Sequence, residues 1–174
     1  MSDRLDMLLG ILDESGARLH ALLTRITLRE DVAEDLLQDL FLKLRSSESF
    51  DGARDPTAYA FRSAMHLALD WRRKQTRSAA TALLDEPPAA EGDRPLDRLS
   101  RDEDYQAILD ALSELSETQQ EVVVRRHLQH EEFEEIAKQI GKTPHQVRGL
   151  LHKGIAKLRT IVATRQARNE APHA

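Results

Sequence analysis

The side chains in this sequence that are best suited to chemistry are basic and amide groups near its C-terminal end. Arg148 and His152 are one helical turn apart, so a helix would present them on one face. Arginine can pair with guanine through two hydrogen bonds, glutamine can pair with adenine, and lysine suits the phosphate backbone. We therefore expect a DNA-binding face made of seven residues: His145, Gln146, Arg148, Gly149, His152, Lys153 and Lys157.

Two helices joined by a tight turn would position this face. Apolar residues at helical spacing predict the buried side of a short first helix, namely Phe133, Ile136, Ala137 and Ile140. Gly141 permits the left-handed backbone that ends such a helix. Thr143, Pro144 and Gln146 supply the second helix with an N-cap, a first-position proline and a capping box. The pattern predicts a helix-turn-helix whose second helix enters the major groove. The alternative is a helical hairpin with a solvated basic face.

The distribution of charge favours a nucleic-acid partner although the chain has a net charge of −5. Residues 141–174 carry 7 basic residues and 1 acidic residue, a net charge of +6. Residues 81–104 and 105–140 each carry 3 basic and 8 acidic residues. A smaller basic cluster, Arg72–Arg73–Lys74, closes the first half of the chain. Basic residues also stabilise helix C-termini, which is the alternative explanation for both clusters.

Catalytic and metal-binding chemistry find little support in the sequence. Four residues have helical ligand spacing but match no zinc pattern: His127, His130, Glu131 and Glu134. The adjacent acidic pairs, Glu34–Asp35 and Glu134–Glu135, diverge on a helix and do not form a catalytic dyad. With no cysteine and no phosphate-binding or nucleophile motif, the sequence predicts no catalytic residue, no metal, no cofactor and no enzymatic activity.

The chain is predicted to be all-α, because leucine and alanine recur at helical spacing and strand signals are absent. The first helix covers residues 5–28 with a break near Gly16, and further helices cover 31–44 and 57–77. Residues 46–56 are turn-like. Helical pattern returns at residue 99, and Ser116 and Gln119 form a capping box that opens the next helix.

The predicted helices form two small domains. The predicted boundaries are residues 1–78 for the first domain, 79–100 for a linker, 101–165 for the helix-turn-helix domain and 166–174 for a tail. Proline, glycine and acidic residues predict that the linker is flexible and lets the domains move independently. No apolar run approaches ~20 residues and the N-terminus lacks a signal-peptide pattern, so we expect a cytoplasmic protein without membrane insertion.

Three segments resemble a known family. Residues 33–43, Ala-Glu-Asp-Leu-Leu-Gln-Asp-Leu-Phe-Leu-Lys, look like the polymerase-binding helix of bacterial sigma factors. The stretch from Phe50 through Tyr59 and Asp70 to Arg73 resembles the promoter-melting helix that follows it, and Leu115 to Arg159 resembles the region that reads the −35 element. Two such regions with only a linker between them are similar to the extracytoplasmic-function group of the sigma-70 family.

The resemblance implies that the chain binds core RNA polymerase, directs it to promoter DNA and helps to open the −10 element. It assigns polymerase binding to Glu34, Asp35, Gln38, Asp39 and Lys43. It assigns contact with the −10 element to Arg62, His66, Arg72, Arg73 and Lys74. The seven residues of the predicted recognition face become the −35 reader, and an anti-sigma factor becomes a further partner.

The sequence departs from the family pattern at several DNA-facing positions. Tyr59 stands where tryptophan is usual and His66 where asparagine is usual, while Leu150 and Ile155 replace basic residues and Gly154 replaces alanine. These changes put the usual promoter sequence in doubt. Two alternatives remain at this point: a two-domain helix-turn-helix transcriptional regulator, or a degenerate sigma-like protein that binds polymerase or an anti-sigma factor without initiating.

Overall fold

The computed structural model describes residues 2–82 and 96–171, and these form eight helices and no strand. The prediction of an all-α chain is confirmed. The helices are α1 (Ser2–Thr27), α2 (Glu30–Arg45), α3 (Glu48–Asp51), α4 (Pro56–Ala82), α5 (Leu96–Leu112), α6 (Glu117–His127), α7 (Phe133–Ile140) and α8 (Pro144–Glu170).

The first half of the chain packs α1, α2 and α4 around leucine-rich faces. In α2, Leu36, Leu40 and Leu44 are buried at the spacing of one helical face. The predicted break at Gly16 is wrong, because α1 runs through it without interruption. Open space surrounds that glycine, so its lack of a side chain neither kinks the helix nor admits a neighbour. The turn predicted over residues 46–56 contains α3, a single turn whose N-cap is Ser47.

The second half of the chain packs α5 to α8. Ser116 and Gln119 form the predicted capping box at the start of α6, with each side chain bonded to the other residue's backbone. Val122, Ile136, Ala137 and Val147 are buried together and hold α6, α7 and α8 against one another. This small aliphatic cluster fixes the angle between the last two helices.

Both ends of the predicted linker belong to helices. α4 continues to Ala82 and α5 begins at Leu96, so both helices extend into the stretch that composition assigned to a loop. The remainder of the predicted linker, with Pro87, Pro88, Gly92 and Pro95, lies in residues 83–95, outside the described residues.

The two halves of the chain pack against each other, which differs from the expectation of independently moving domains. Leu23 and Ala68 from the first half belong to the same buried cluster as Leu109 and Val124 from the second. Polar side chains also join the halves. Within the described ranges, no helix is both long enough and apolar enough to span a bilayer.

Candidate nucleic-acid interface

The helix-turn-helix forms from the local signals that the sequence carries. Gly141 ends α7 in the left-handed conformation with φ of 69°. Thr143 then caps α8: its hydroxyl accepts a hydrogen bond from the Gln146 N–H at 3.2 Å, and Gln146 Oε1 accepts one from the Thr143 N–H at 3.0 Å. Pro144 occupies the first helical position, where its missing N–H is not needed. The N-terminal end of α8 is therefore held rigidly.

The seven residues predicted for the recognition face all lie exposed on α8. Val147 and Leu158 lie buried on the opposite side of the helix. The structure therefore brings the predicted −35 residues together on one accessible surface.

Gln146 already uses its side-chain oxygen in a hydrogen bond within the protein. Bidentate pairing with adenine requires both Oε1 and Nε2 of the side chain. Because Oε1 accepts the Thr143 N–H, Gln146 offers a base only its Nε2 donor while the capping box is intact. Its stronger role in the structure is to fix the end of α8.

Phe133 positions Arg148, a relationship that sequence reasoning missed. The guanidinium carbon of Arg148 lies 4.9 Å from the centre of the Phe133 ring, and that of Arg126 lies 4.7 Å from the same centre. A carboxylate oxygen of Glu134 lies 3.9 Å from Arg148 Nη2. The arginine predicted to read bases is thus held between an aromatic ring and a carboxylate while its side chain stays half exposed.

The three residues of α8 that depart from the family pattern pack against neighbouring parts of the protein. Leu150 and Ile155 are partly buried against the two apolar clusters. Gly154 is buried, and a Cβ there would lie 3.2 Å from Val123 Cγ2 on α6. At these three positions the chain has hydrophobic or small residues that close the interface between α8 and its neighbours.

The prediction that Arg72 faces DNA is not met in this structure. Arg72 is 8% exposed and lies between the two halves of the chain. Its Nε and Nη2 donate to Asp110 Oδ1 at 3.0 and 2.7 Å. Nη1 reaches the carbonyl oxygen of Ile26 and Nη2 also reaches that of Gln106, each at 3.2 Å. The guanidinium is therefore satisfied by α1 and α5 and is not accessible to a partner.

The other residues predicted to contact the −10 element divide into two groups. Arg62 forms a two-pronged ion pair with Glu121 of α6, with both distances 3.1 Å, and His66 is half-buried. Arg73 and Lys74 are exposed, although Arg73 also lies 3.3 Å from Asp70 on its own helix. Only the last two are open to DNA in this arrangement.

The predicted polymerase face of α2 is exposed along its length. Its five residues, Glu34, Asp35, Gln38, Asp39 and Lys43, are all exposed. Ala33 and the three buried leucines of α2 lie on the opposite side of the helix. Leu42, which the sequence analysis did not single out, is 52% exposed on the same helix. The surface therefore combines carboxylate and amide groups with one apolar side chain.

Two of the four residues with helical metal-ligand spacing, Glu131 and Glu134, lie beside arginine side chains. Arg125 Nη1 contacts both carboxylate oxygens of Glu131, at 3.2 and 3.1 Å, and Glu134 faces Arg148. Across residues 2–82 and 96–171 there is no group of three or more histidine or acidic side chains placed to hold a metal ion.

An all-helical chain with a capped helix-turn-helix and an exposed basic face on its second helix has the features of a DNA-binding protein, and comparison with known proteins specifies which kind. Residues 11–78 match the model of sigma-70 region 2, and residues 105–158 match that of sigma-70 region 4. The chain belongs to the extracytoplasmic-function (ECF) RNA polymerase sigma factors of the sigma-70 family. Such proteins are non-enzymatic initiation factors that bind core RNA polymerase.

Individual relatives agree with this assignment. The chain is 30% identical to the ECF RNA polymerase sigma factor SigX of Bacillus subtilis over 132 residues, which cover 72% of this chain and 68% of SigX. It is 28% identical to the sigma factor YlaC of the same organism, over 79% of this chain and 81% of YlaC. The alternative of a two-domain transcriptional regulator is therefore not the correct interpretation.

A solved structure shares the fold. The sigma factor RpoE from Bartonella quintana, determined in complex with the anti-sigma factor NepR, superimposes with a TM-score of 0.50 at 20% identity. The likeness covers 94% of this chain and 98% of the RpoE chain.

Proposed function

We propose that the exposed face of α2 binds core polymerase, that α4 contacts the −10 element and that α8 reads the −35 element. The functional domains are residues 1–78 and 101–165, which the matched ranges 11–78 and 105–158 support. Arg148 reads bases, Lys153 and Lys157 hold phosphate, and Arg73 and Lys74 approach the −10 DNA first. Because the protein works with core polymerase, it acts in the cytoplasm.

The observation that carries the proposal is the exposed polar face of α2. Among the described residues, none of the side chains of Glu34, Asp35, Gln38, Asp39 and Lys43 forms an ion pair or a side-chain hydrogen bond. A helix that buries its leucines and leaves adjacent carboxylate, amide and Leu42 side chains free is suited to a protein partner with a basic surface.

Charge reversal tests the polymerase face. Asp39→Arg should weaken binding to purified core polymerase at least tenfold, since it places a cation in an acidic contact surface. Glu14→Arg is the matched control, because Glu14 is also exposed in the first domain but lies on α1. Equal affinities of the two variants for core polymerase would contradict the assignment of this face.

Promoter-dependent transcription tests initiation itself. The wild-type chain with core polymerase should give discrete transcripts from genomic fragments, and Asp39→Arg should remove them. Binding to polymerase without any transcript would instead support the degenerate sigma-like protein.

We also propose an anti-sigma factor as a partner of this chain, since its fold resembles that of a sigma factor determined with one. Such a partner should compete with core polymerase for the chain in gel filtration.

A further inference from the structure

We propose that the α5–α6 face of the second domain binds the basic face of α4 and masks it from DNA in the free chain. In this contact the Asp110 and Glu121 carboxylates occupy the position of DNA phosphates on Arg72 and Arg62. The inference rests on the proposed role of α4 at the −10 element and adds an interaction surface whose partner is the chain's own first domain.

The Asp110 contact withdraws Arg72 from solvent. Both Arg72 nitrogens that face Asp110 donate to a single oxygen, at 3.0 and 2.7 Å, and two main-chain carbonyl oxygens accept further hydrogen bonds from the guanidinium. A phosphate oxygen would accept hydrogen bonds from a guanidinium in the same way. Arg72 therefore cannot contact DNA until α5 leaves α4.

The Glu121 contact has the same chemistry at a second arginine of α4. Each carboxylate oxygen of Glu121 accepts one nitrogen of Arg62 at 3.1 Å, and Oε1 also accepts Arg125 Nε at 3.0 Å. Arg125 belongs to α6 and would remain with Glu121 after separation. Opening would release Arg62 without leaving the Glu121 carboxylate unpaired.

Two further hydrogen bonds join the halves of the chain. Gln139 of α7 donates to Asp55, which precedes α4, at 3.0 Å, and the Tyr105 hydroxyl of α5 donates to the Arg25 carbonyl oxygen of α1 at 3.1 Å. From Asp55 to Arg72 the helix spans about 25 Å. Polar contacts from the second half of the chain therefore lie near both ends of this length, and both halves contribute residues to one buried apolar cluster.

The same arrangement leaves the other proposed surfaces open. The polymerase face of α2 and the recognition face of α8 are exposed in the closed chain. Polymerase can therefore engage the closed form first, and DNA and the α5–α6 face then compete for the same arginines. A partner shifts this equilibrium only by the difference in its affinity for the open and closed forms.

The test neutralises the two carboxylates without changing a proposed DNA or polymerase contact. The full chain carrying Asp110→Asn and Glu121→Gln should bind a fluorescent single-stranded DNA oligonucleotide of mixed sequence about tenfold more tightly than the wild type. The matched control carries Asp104→Asn and Glu117→Gln, which change the net charge equally at exposed positions of α5 and α6, where Asp104 contacts only Gln166 of the second domain. It should bind nearly as the wild type does.

A distance measurement reports opening independently of DNA. The sequence has no cysteine, so Glu48→Cys and Lys142→Cys introduce the only two thiols, both at exposed positions in different domains. Spin labels on this pair should give one narrow distance distribution in the wild-type background. In the variant that carries Asp110→Asn and Glu121→Gln, called the Asn/Gln variant, the distances should become longer and their distribution broader. Circular dichroism verifies that the helices are retained.

The outcomes separate the masking proposal from the proposed function. Unchanged distances together with control-level DNA binding in the Asn/Gln variant would overturn masking. If the chain opens without a gain in DNA binding, masking is overturned as well. Adding Lys74→Ala to the variant tests the role of α4 separately, since a loss of DNA binding supports that role whether or not the wild type is closed.

Discussion

Gln139 Nε2 on α7 donates a 3.0 Å hydrogen bond to Oδ2 of Asp55, the residue that precedes α4. The other carboxylate oxygen of Asp55 accepts the Ala58 N–H at 2.9 Å and so caps the helix. One side chain therefore begins the longest helix of the first domain and also joins it to the helix-turn-helix. These two hydrogen bonds, led by the one from the Ala58 backbone, hold the pKa of Asp55 below its ordinary value of 3.8 despite partial burial.

The lowered pKa of Asp55 predicts a loss of stability in acid. Because the folded state favours the ionised form, the stabilisation is complete well above pH 3.8 and is lost as the pH falls through the folded-state pKa. Asp55→Asn keeps a capping side chain without the charge, so its free energy of unfolding should depend less on pH below about pH 4. Urea titrations at several pH values measure this, and identical pH profiles for the two proteins would contradict the prediction.

Removing the cap altogether gives a second measurement at the same residue. Asp55→Ala should lower the free energy of unfolding by about 1 kcal/mol at neutral pH, since the Ala58 N–H loses its acceptor. Gln139→Ala should have a smaller effect, because Gln139 is only a hydrogen-bond donor to an already capped carboxylate. A larger loss from Gln139→Ala would mean that the bond between the domains stabilises the protein more than the helix cap does.

Two helical glycines should respond differently to the same substitution. Gly16→Ala in α1 meets open space and should stabilise the protein by about 0.5–1 kcal/mol. Gly154→Ala gains the same helix propensity but brings its Cβ within 3.2 Å of Val123 Cγ2, so its gain should be smaller. Thermal unfolding of the two variants compares their stabilities directly. A larger increase in stability at Gly154 would show that α6 shifts at little cost to accommodate the added methyl group.

The stacked pair of Phe133 and Arg148 predicts an effect on promoter affinity from a residue that need not touch DNA. Phe133→Leu keeps an apolar side chain but removes the aromatic face, and it should weaken binding to a −35 duplex by about 0.5–1 kcal/mol. In the Arg148→Ala background the same substitution should have almost no effect, because there is no guanidinium left to position. Equal losses in both backgrounds would mean that Phe133 acts through packing alone.

Arg148 and Lys153 should differ in how their loss depends on DNA sequence and salt. Arg148→Ala should lose about 1–3 kcal/mol on the promoter duplex and much less on a scrambled one. Lys153→Ala should weaken both duplexes alike and make the salt dependence shallower by about one unit of slope. Fluorescence anisotropy at several salt concentrations distinguishes them, and a uniform loss from Arg148→Ala would make Arg148 a phosphate contact.

The features predicted correctly from the sequence are local ones. The capping boxes at Ser116 and Thr143 and the left-handed Gly141 depend on residues within a few positions of one another, so their spacing is visible in the sequence. The exposure of the seven predicted recognition residues on α8 follows from the same kind of pattern, while their contact with DNA stays a prediction. The ends of α4 and α5 were not predicted, because alanine-rich and acidic segments are compatible with either helix or loop until tertiary contacts decide.

The pairing of Arg72 could not be predicted for a different reason. Its partner Asp110 lies 38 positions away along the chain, and Glu121 lies 59 positions from Arg62. An arginine that faces DNA and one that pairs with a distant carboxylate have the same local sequence signature. Only the packing of α5 and α6 on α4 distinguishes them, and composition does not encode which acidic residue is reached.

The length of α8 has a mechanical consequence for promoter recognition. Its 27 residues form a rod about 40 Å long, with His145 and Arg148 at one end. Near the other end, Val162 and Arg165 line a groove beside Trp71 and Arg72 on α4. A tilt of about 5° around the middle of a rod of this length moves both ends by roughly 2 Å in opposite directions. While the two halves of the chain remain packed, the contacts of α8 with the first domain therefore set the direction of its recognition end, and a displacement of one end of the helix moves the other.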